Sequence, residues 1–220
     1  MSQYLKEDGT GPCSNFRVPD LVPANGELVE LLLVVESPHR DELRTGLPLA
    51  GDAGQRALSF LAPLGSPPEA LGPSVATLHA ARDFRLGIIN VSPVPLQSKA
   101  FSGHRSPPTL ATGEWDLLEL VRTHRAPTIP ALPTTEAMDT NMVLVRGLQS
   151  RLTSLRLSSI STIALAGNFV QRTWESVAAP TVGSVLRIPH PSNGWWTRTN
   201  DQAYRANLVA LANEFARLTT

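Results

Sequence analysis

Three polar residues that each follow an apolar run, Glu36, Asn90 and His190, could together carry out acid/base chemistry on a bound ligand. A carboxylate can position water or act as a general base, and an imidazole can donate a proton or a hydrogen bond. An amide offers both a donor and an acceptor for reading the edge of a ligand. Singly, Glu36 could cap a loop, Asn90 could bond its own backbone and His190 could be a turn histidine. The combination therefore predicts a functional site better than any one residue.

The elements that must position these residues are four apolar runs, predicted as strands at 28–35, 86–91, 162–166 and 184–188. Helices are predicted from Asp52 through Leu61, at 114–124, 140–157 and 201–218, and through Val170 and Trp174. This alternation predicts an α/β fold, a three-layer α/β/α sandwich with a central four-stranded, mainly parallel sheet. Because ligands bind at the carboxyl edge of such a sheet, the three polar residues are expected on one rim.

The domain organisation predicted from composition is simple. Residues 1–26 are rich in glycine and proline and predict an irregular N-terminal arm, whereas residues 27–220 predict a single domain. Residues 92–133 are dense in proline and predict a long functional loop around the helix at 114–124. Gly65-Ser66-Pro67-Pro68 is predicted to end the helix that begins near Asp52.

Composition and charge narrow the class of protein. A chain of 220 residues with 42% hydrophobic and 17% charged residues is typical of a soluble globular protein. A formal net charge of zero argues against a non-specific basic coat for nucleic acid, but it allows a local positive groove. One stretch, 141–174, has no acidic residue, and its arginines are interpreted as a solvated helix face: Arg146, Arg151, Arg156 and Arg172.

The single cysteine, Cys13, excludes an internal disulfide and a cysteine-based metal site. The chain shows no signal-peptide pattern and no apolar run of membrane-spanning length. We therefore expect a cytoplasmic protein that acts as a monomer, without a cofactor, a metal or a membrane partner. A metal site at His39, Asp41 and Glu42 is disfavoured because these residues crowd one loop without a remote partner. A Ser37 nucleophile is disfavoured because no Gly-x-Ser-x-Gly elbow surrounds it.

The order and spacing of the motifs resemble the uracil-DNA glycosylase superfamily. Residues 35–39 (Val-Glu-Ser-Pro-His) and 46–54 (Gly-Leu-Pro-Leu-Ala-Gly-Asp-Ala-Gly) resemble, without a gap, that family's Gly-Glu-Ala-Pro-Gly and Gly-x-Pro-Phe-x-Gly-x-Ala-Gly motifs. Downstream, Ile89-Asn90-Val91 resembles the strand end that bears the base-reading asparagine, and His190-Pro191-Ser192 matches the His-Pro-Ser motif. The resemblance covers about residues 31–192, and the order of the motifs is more specific than any tripeptide.

The chain also departs from this family. The branch with this first motif carries four cysteines that hold an iron–sulfur cluster, and because they are absent here no cluster is expected. Leu49 stands where an aromatic side chain stacks on the extruded base, and Val35 and His39 replace the outer glycines of the first motif. These changes imply a reshaped pocket, in which Phe101 or His39 could cover the base instead.

The resemblance implies a monofunctional DNA glycosylase that hydrolyses the N-glycosidic bond of an extruded uracil or modified pyrimidine in DNA. Glu36 would position the attacking water, and His190 would donate a hydrogen bond to the departing base. The base would be bound by Asn90, Leu49, His39 and Ser37. Phosphate contacts, or the wedge that fills the gap, would come from Gly51, Ala53, Gly54, Ser98, Ser192, Asn193, Trp195 and Trp196. At least one of these two tryptophans is expected to pack beneath the loop, and the matched motifs hold no lysine for Schiff-base chemistry.

Two alternatives stay open. Leu49 in place of an aromatic wall makes room for a bulky base, which would suit a glycosylase for phage-type hypermodified cytosine in antiviral defence. The other alternative is a catalytically silent DNA-binding relative, against which the joint presence of Glu36, Asn90 and His190 argues.

Overall fold

Four five-residue strands form one sheet in the computed structural model, which describes residues 4–5, 14–24, 26–63, 69–178, 180 and 182–219. They are β1 (Leu31–Val35), β2 (Leu86–Asn90), β3 (Thr162–Ala166) and β4 (Ser184–Ile188). Neighbouring strands are parallel throughout, in the spatial order β2-β1-β3-β4. Their carboxyl ends therefore lie at one edge.

Helices connect the strands and cover the sheet. They are α1 (Arg40–Thr45), α2 (Asp52–Leu61), α3 (Leu71–Ala80), α4 (Glu114–Thr123), α5 (Thr135–Thr153), α6 (Asn168–Trp174), α7 (Trp195–Arg198) and α8 (Gln202–Thr219). Short 3-10 helices lie at Ser14–Phe16, Ser98–Phe101, Ile129–Ala131 and Ser192–Gly194.

Side chains that alternate along β1 bury both faces of the sheet. Leu31, Leu33 and Val35 pack with residues of α2, α3 and α8, whereas Leu32 and Val34 pack with residues of α4, α5 and α6. Burial on both faces is what a continuous apolar strand predicts for a parallel sheet. The predicted three-layer α/β/α sandwich is confirmed.

Element boundaries differ from the prediction where local chemistry sets them. β1 begins at Leu31 because Leu28 makes only an isolated bridge. α5 begins five residues before the predicted Thr140, because the Thr134 hydroxyl accepts the N–H of Ala137 at 3.1 Å and caps the helix. The helices α1 and α3 were not predicted. α1 is short and polar, and α3 carries Pro73 in its first turn, where a missing N–H does no harm.

The described part of the predicted N-terminal arm packs on the sheet. Leu21 forms an antiparallel bridge with Ile88 of β2. Tyr4 is buried, and its hydroxyl donates to the carbonyl of Pro95 at 2.5 Å. Cys13 and the predicted helix stop at residues 65–68 lie outside the described residues.

The interpretation of the four arginines as a solvated face is wrong for two of them. Arg172 is 1% exposed, and the Arg151 side chain is 12% exposed. Arg151 pairs with Asp20 at 2.9 Å, and backbone carbonyls hold both guanidinium groups. A stretch without acidic residues does not reveal such partners, because they come from distant parts of the chain.

Candidate functional site

The sheet brings Glu36, Asn90 and His190 to its carboxyl edge, as predicted from the strand pattern. Val35, the last residue of β1, pairs with Asn90, the last residue of β2. One residue beyond β1, the carbonyl of Glu36 accepts the N–H of Ser92 at 3.1 Å. β4 ends two residues before His190. A carboxylate, an amide and an imidazole therefore share one rim of the fold.

Glu36 is a mostly buried carboxylate that pairs with Arg122. Its side chain is 17% exposed, and its Oε1 accepts a hydrogen bond from Nη1 of Arg122 at 3.2 Å. Burial raises the pKa of Glu36, while the Arg122 guanidinium acts in the opposite direction. A carboxyl with a raised pKa at the ligand edge of an α/β sheet has the properties of a general base.

Asn90 presents an unpaired amide at the end of β2. The residue is 1% exposed, and neither its Oδ1 nor its Nδ2 has a hydrogen-bond partner among the described residues. Its backbone is fixed, because Arg151 donates to the carbonyl of Asn90 at 2.7 Å and to that of Val91 at 2.7 Å. Buried amides are nearly always hydrogen-bonded. An amide held rigidly with both groups free is suited to complete its bonds with a ligand.

Ser37, predicted to contact the base, shares this property. It is 9% exposed, and its hydroxyl also has no hydrogen-bond partner within the described ranges. Ser37 directly follows Glu36 in the chain, so the end of β1 carries a second buried polar residue.

His190 is arranged as a neutral hydrogen-bond donor. Its Nδ1 accepts the backbone N–H of Ser192 at 3.2 Å and lies 2.8 Å from the hydroxyl of that residue. Burial lowers the pKa of His190 to about 4, with a further contribution from the charge of Arg122. A neutral ring whose Nδ1 accepts must carry its proton on Nε2. His190 therefore offers an Nε2–H donor at neutral pH.

Gly167 lets β3 end against this histidine. Its φ is +96°, and a Cβ at this position would lie 3.2 Å from the Cβ of His190. Any other residue would be strained in this conformation and would crowd the Cβ of His190. Gly167 is thus a positioning residue, and the sequence marked it only as the end of a strand.

The loop after α1 is held by Glu42. This buried carboxylate accepts the N–H of His39 at 2.7 Å and the N–H of Leu49 at 2.5 Å. Leu49 has a φ of +50°, which is uncommon for a residue other than glycine. A Cβ at Gly54 would lie 1.7 Å from the Leu49 carbonyl oxygen, so only glycine allows α2 to approach so closely.

A cleft of about 300 Å³ lies between this loop, α2 and the residues that follow His190. Glu42 lines it, and burial raises the pKa of Glu42, with a smaller contribution from the charge of Glu36. Six residues predicted to contact base or DNA also line it: His39, Leu49, Gly51, Ala53, Ser192 and Asn193. Its lining does not include Glu36, Asn90 or His190, but Ser192 connects it to His190 by their hydrogen bond.

The two adjacent tryptophans have different environments. Trp195 is 50% exposed, and the Arg198 guanidinium lies 5.5 Å from its ring centre. Trp196 is 4% exposed, packs edge-on against Phe60 and donates its Nε1–H to the carbonyl of Pro189 at 2.7 Å. Trp196 is therefore part of the core, which confirms that at least one of the two tryptophans packs beneath the loop and which does not favour a DNA contact by Trp196.

Two other predicted DNA contacts take separate places. Ser98 is exposed at the first position of a 3-10 helix, outside the cleft lining. Gly54 is buried in the first turn of α2, where it packs against the loop rather than lining the cleft.

No family model matches the chain, and no curated protein matches it. The function is therefore inferred from the geometry of these residues.

Two classes of feature are absent from the described ranges. They contain no group of three or more His, Cys, Asp or Glu side chains placed to hold a metal ion. They also contain no helix with the length and apolarity needed to cross a membrane.

Arg122 is a site residue that sequence reasoning missed. It lies on α4, 86 residues from Glu36 along the chain, and it also pairs with Glu119 at 2.5 Å. Burial raises the pKa of Glu36 and the charge of Arg122 opposes this rise, whereas burial lowers the pKa of His190 and the charge of Arg122 lowers it further. Because α4 belongs to the long segment between β2 and β3, no local pattern could have identified this contact.

Glu42 should make stability depend on pH. Burial raises its pKa from 4.5 to about 7, so between these values the unfolded chain loses a proton that the folded chain keeps. The free energy of unfolding should therefore fall as pH rises through this window and level off above it. Chemical denaturation at several pH values should show that Glu42→Gln removes up to about 3 kcal/mol of this decline. Parallel pH curves for parent and variant would contradict this role.

Proposed function

We propose that the protein is a monofunctional DNA glycosylase that hydrolyses the N-glycosidic bond of an extruded uracil or modified pyrimidine. The observation that carries this proposal is the unpaired, buried amide of Asn90 on the same rim as the Glu36 carboxylate and the neutral His190 donor. An amide with both groups free suits the edge of a pyrimidine, which alternates carbonyl acceptors with N–H donors.

The proposed reaction needs opposite charges to be stabilised on either side of one bond. Water adds to the C1′ carbon of the sugar, and the bond from C1′ to the base breaks with its electron pair moving to the base. Glu36 positions the water, accepts its proton and offsets positive charge on the sugar. His190 donates its Nε2–H to the developing anion of the base, which a preformed donor in a buried site stabilises strongly.

A second candidate is a glycosylase for a pyrimidine with a large substituent. The cleft is lined by the aliphatic Leu49, and its lining includes no Phe, Tyr or Trp among the described residues. Phe101 is already engaged, because it packs edge-on against Phe16 at 5.0 Å and is 5% exposed. His39 is the ring that lines the cleft.

Leu49→Phe should shift base choice toward small pyrimidines. Stacking on an aromatic side chain contributes ~1–3 kcal/mol per base, whereas the larger ring fills space that a substituent would use. Excision of uracil should be preserved or improved, and excision of any bulky modified base should fall. Both are measured as single-turnover rates. Strong uracil excision that Leu49→Phe destroys would show that the pocket is already tight.

The experiment that tests the function is a panel of substrates. Single-stranded and double-stranded oligonucleotides that carry uracil or modified pyrimidines, and modified phage DNAs, are incubated with the protein and scored for abasic sites. Abasic sites in one class of DNA identify the base. DNA binding without abasic sites in any substrate would favour a silent binding protein and contradict the proposal.

A further inference from the structure

A second cleft lies at the same edge of the sheet, between the end of α4, the start of α6 and β4. It holds about 280 Å³, and we call it the arginine cleft because Arg125, Arg172 and Arg187 line it. Asn168 and Gln171 also line it, and no acidic residue of the described chain does. Its walls are therefore rich in cations and amide groups.

Arg172 is a buried cation without an acidic partner in the described ranges. It is 1% exposed, and its Nε donates to Oδ1 of Asn141 at 3.2 Å. Its terminal nitrogens donate to the carbonyls of His124 and Val121. These bonds use three of the five donors of a guanidinium. A buried charge that lacks a counter-charge is costly, so an anion in the arginine cleft would balance Arg172.

The other two arginines can reach an anion from the solvent side. Arg125 is exposed and lines the arginine cleft just after the end of α4. Arg187 pairs with Glu175, but the two side chains are 49% and 40% exposed. Exposed pairs contribute little stability. A bound anion can therefore replace Glu175 as the partner of Arg187.

We propose that the arginine cleft binds a phosphate group, and that this phosphate belongs to the DNA strand whose base is excised. The second half of this statement rests on the proposed function. Arg187 precedes His190 by three residues, and Asn168 follows Gly167, whose backbone packs on His190. The arginine cleft and His190 therefore both lie at the carboxyl ends of β3 and β4. A guanidinium group can donate two parallel hydrogen bonds to the oxygens of a phosphate. Such contacts position the DNA on the protein but do not recognise the base sequence.

The phosphate half is tested with inorganic phosphate on the full chain, by following arginine side-chain N–H signals in NMR spectra. Phosphate should shift the Arg172 signal saturably, and Arg125→Gln/Arg187→Gln should weaken binding at least tenfold. The matched control is Arg82→Gln/Arg217→Gln, which removes two exposed arginines near the amino ends of β2 and β1. No saturable shift, or equal binding by both double variants, would overturn the proposal.

Glu175→Gln gives a test in the opposite direction. It removes the carboxylate that competes for Arg187, so phosphate should bind severalfold more tightly than to the parent. Unchanged or weaker binding would show that Arg187 does not take part.

The DNA half is tested with an oligonucleotide that carries a non-cleavable abasic analogue. The Arg125→Gln/Arg187→Gln protein should bind it about tenfold more weakly, and the plot of log affinity against log salt should be less steep by about 0.9. Equal affinity and equal slope for this protein and the control would overturn the DNA assignment. If the parent protein binds phosphate but no DNA, the proposed function is overturned. The proposal that the arginine cleft binds phosphate is then supported by the phosphate titration and does not depend on the DNA result.

Discussion

Replacing Glu36 by glutamine should lower the single-turnover rate of base excision by roughly 100-fold or more, the range expected for a positioned general base. Glutamine keeps the shape of the side chain but cannot accept the proton of the attacking water. It also removes the negative charge that stabilises the sugar cation. DNA affinity should change little, because Glu36 is a mostly buried residue that acts on the chemical step.

Glu119→Gln is the matched control for this substitution. Glu119 is the other carboxylate on Arg122, and its side chain is 48% exposed. Its removal takes away the same charge from the same arginine without changing the proton acceptor. Excision should therefore stay within a few-fold of the parent. An equal loss in both variants would mean that Glu36 only holds Arg122.

Removal of the His190 imidazole should slow the chemical step by about 100-fold to 1000-fold, the range for loss of one preorganised donor. In the parent protein the backbone N–H of Ser192 donates to Nδ1 of His190, so the ring proton is on Nε2. Without the imidazole, the negative charge that develops on the departing base would lack this Nε2–H donor. Binding of DNA with a non-cleavable base analogue should be much less affected. Comparing excision rate with affinity for His190→Ala measures both effects.

His190→Gln and the pH profile of excision distinguish two roles of His190. The neutral ring can donate a hydrogen bond, whereas a charged ring can transfer a proton as a general acid. Glutamine keeps an N–H donor, so it should recover part of the activity that alanine loses. Because the pKa of His190 is about 4, the ring is neutral above that value, and activity should not decline as pH rises through 6.5. A fall in activity centred near 6.5 that His190→Ala abolishes would show that the charged imidazole is required.

The edge of the sheet could be predicted from the sequence because its signals are local. An apolar run that stops at a polar residue predicts the end of a buried strand, and this holds for Glu36 and Asn90. Parallel pairing follows from the helices between the strands. The side chains of Glu36 and Asn90 could therefore be assigned to the same edge of the sheet from the sequence alone.

The partners of these residues could not be predicted, because they depend on packing between distant segments. Arg122 reaches Glu36 across 86 residues, and α4, which carries it, is held at its end by Arg172. From the sequence, Arg172 is expected to be a solvent-exposed residue on a helix. α1, whose Glu42 holds the Leu49 loop, has six residues without a repeated apolar face. Tertiary contacts, rather than local propensity, define these parts of the site.

Hydrolysis of the glycosidic bond is tested by a single-turnover reaction in isotopically labelled water, on the DNA that the substrate panel identifies. Mass spectrometry then measures the released base and the sugar left in the strand. Hydrolysis by a monofunctional glycosylase should give a free pyrimidine, label at the C1′ position of the abasic sugar, and no protein–DNA adduct after borohydride treatment. A trapped adduct, or an intact glycosidic bond in every DNA tested, would contradict it.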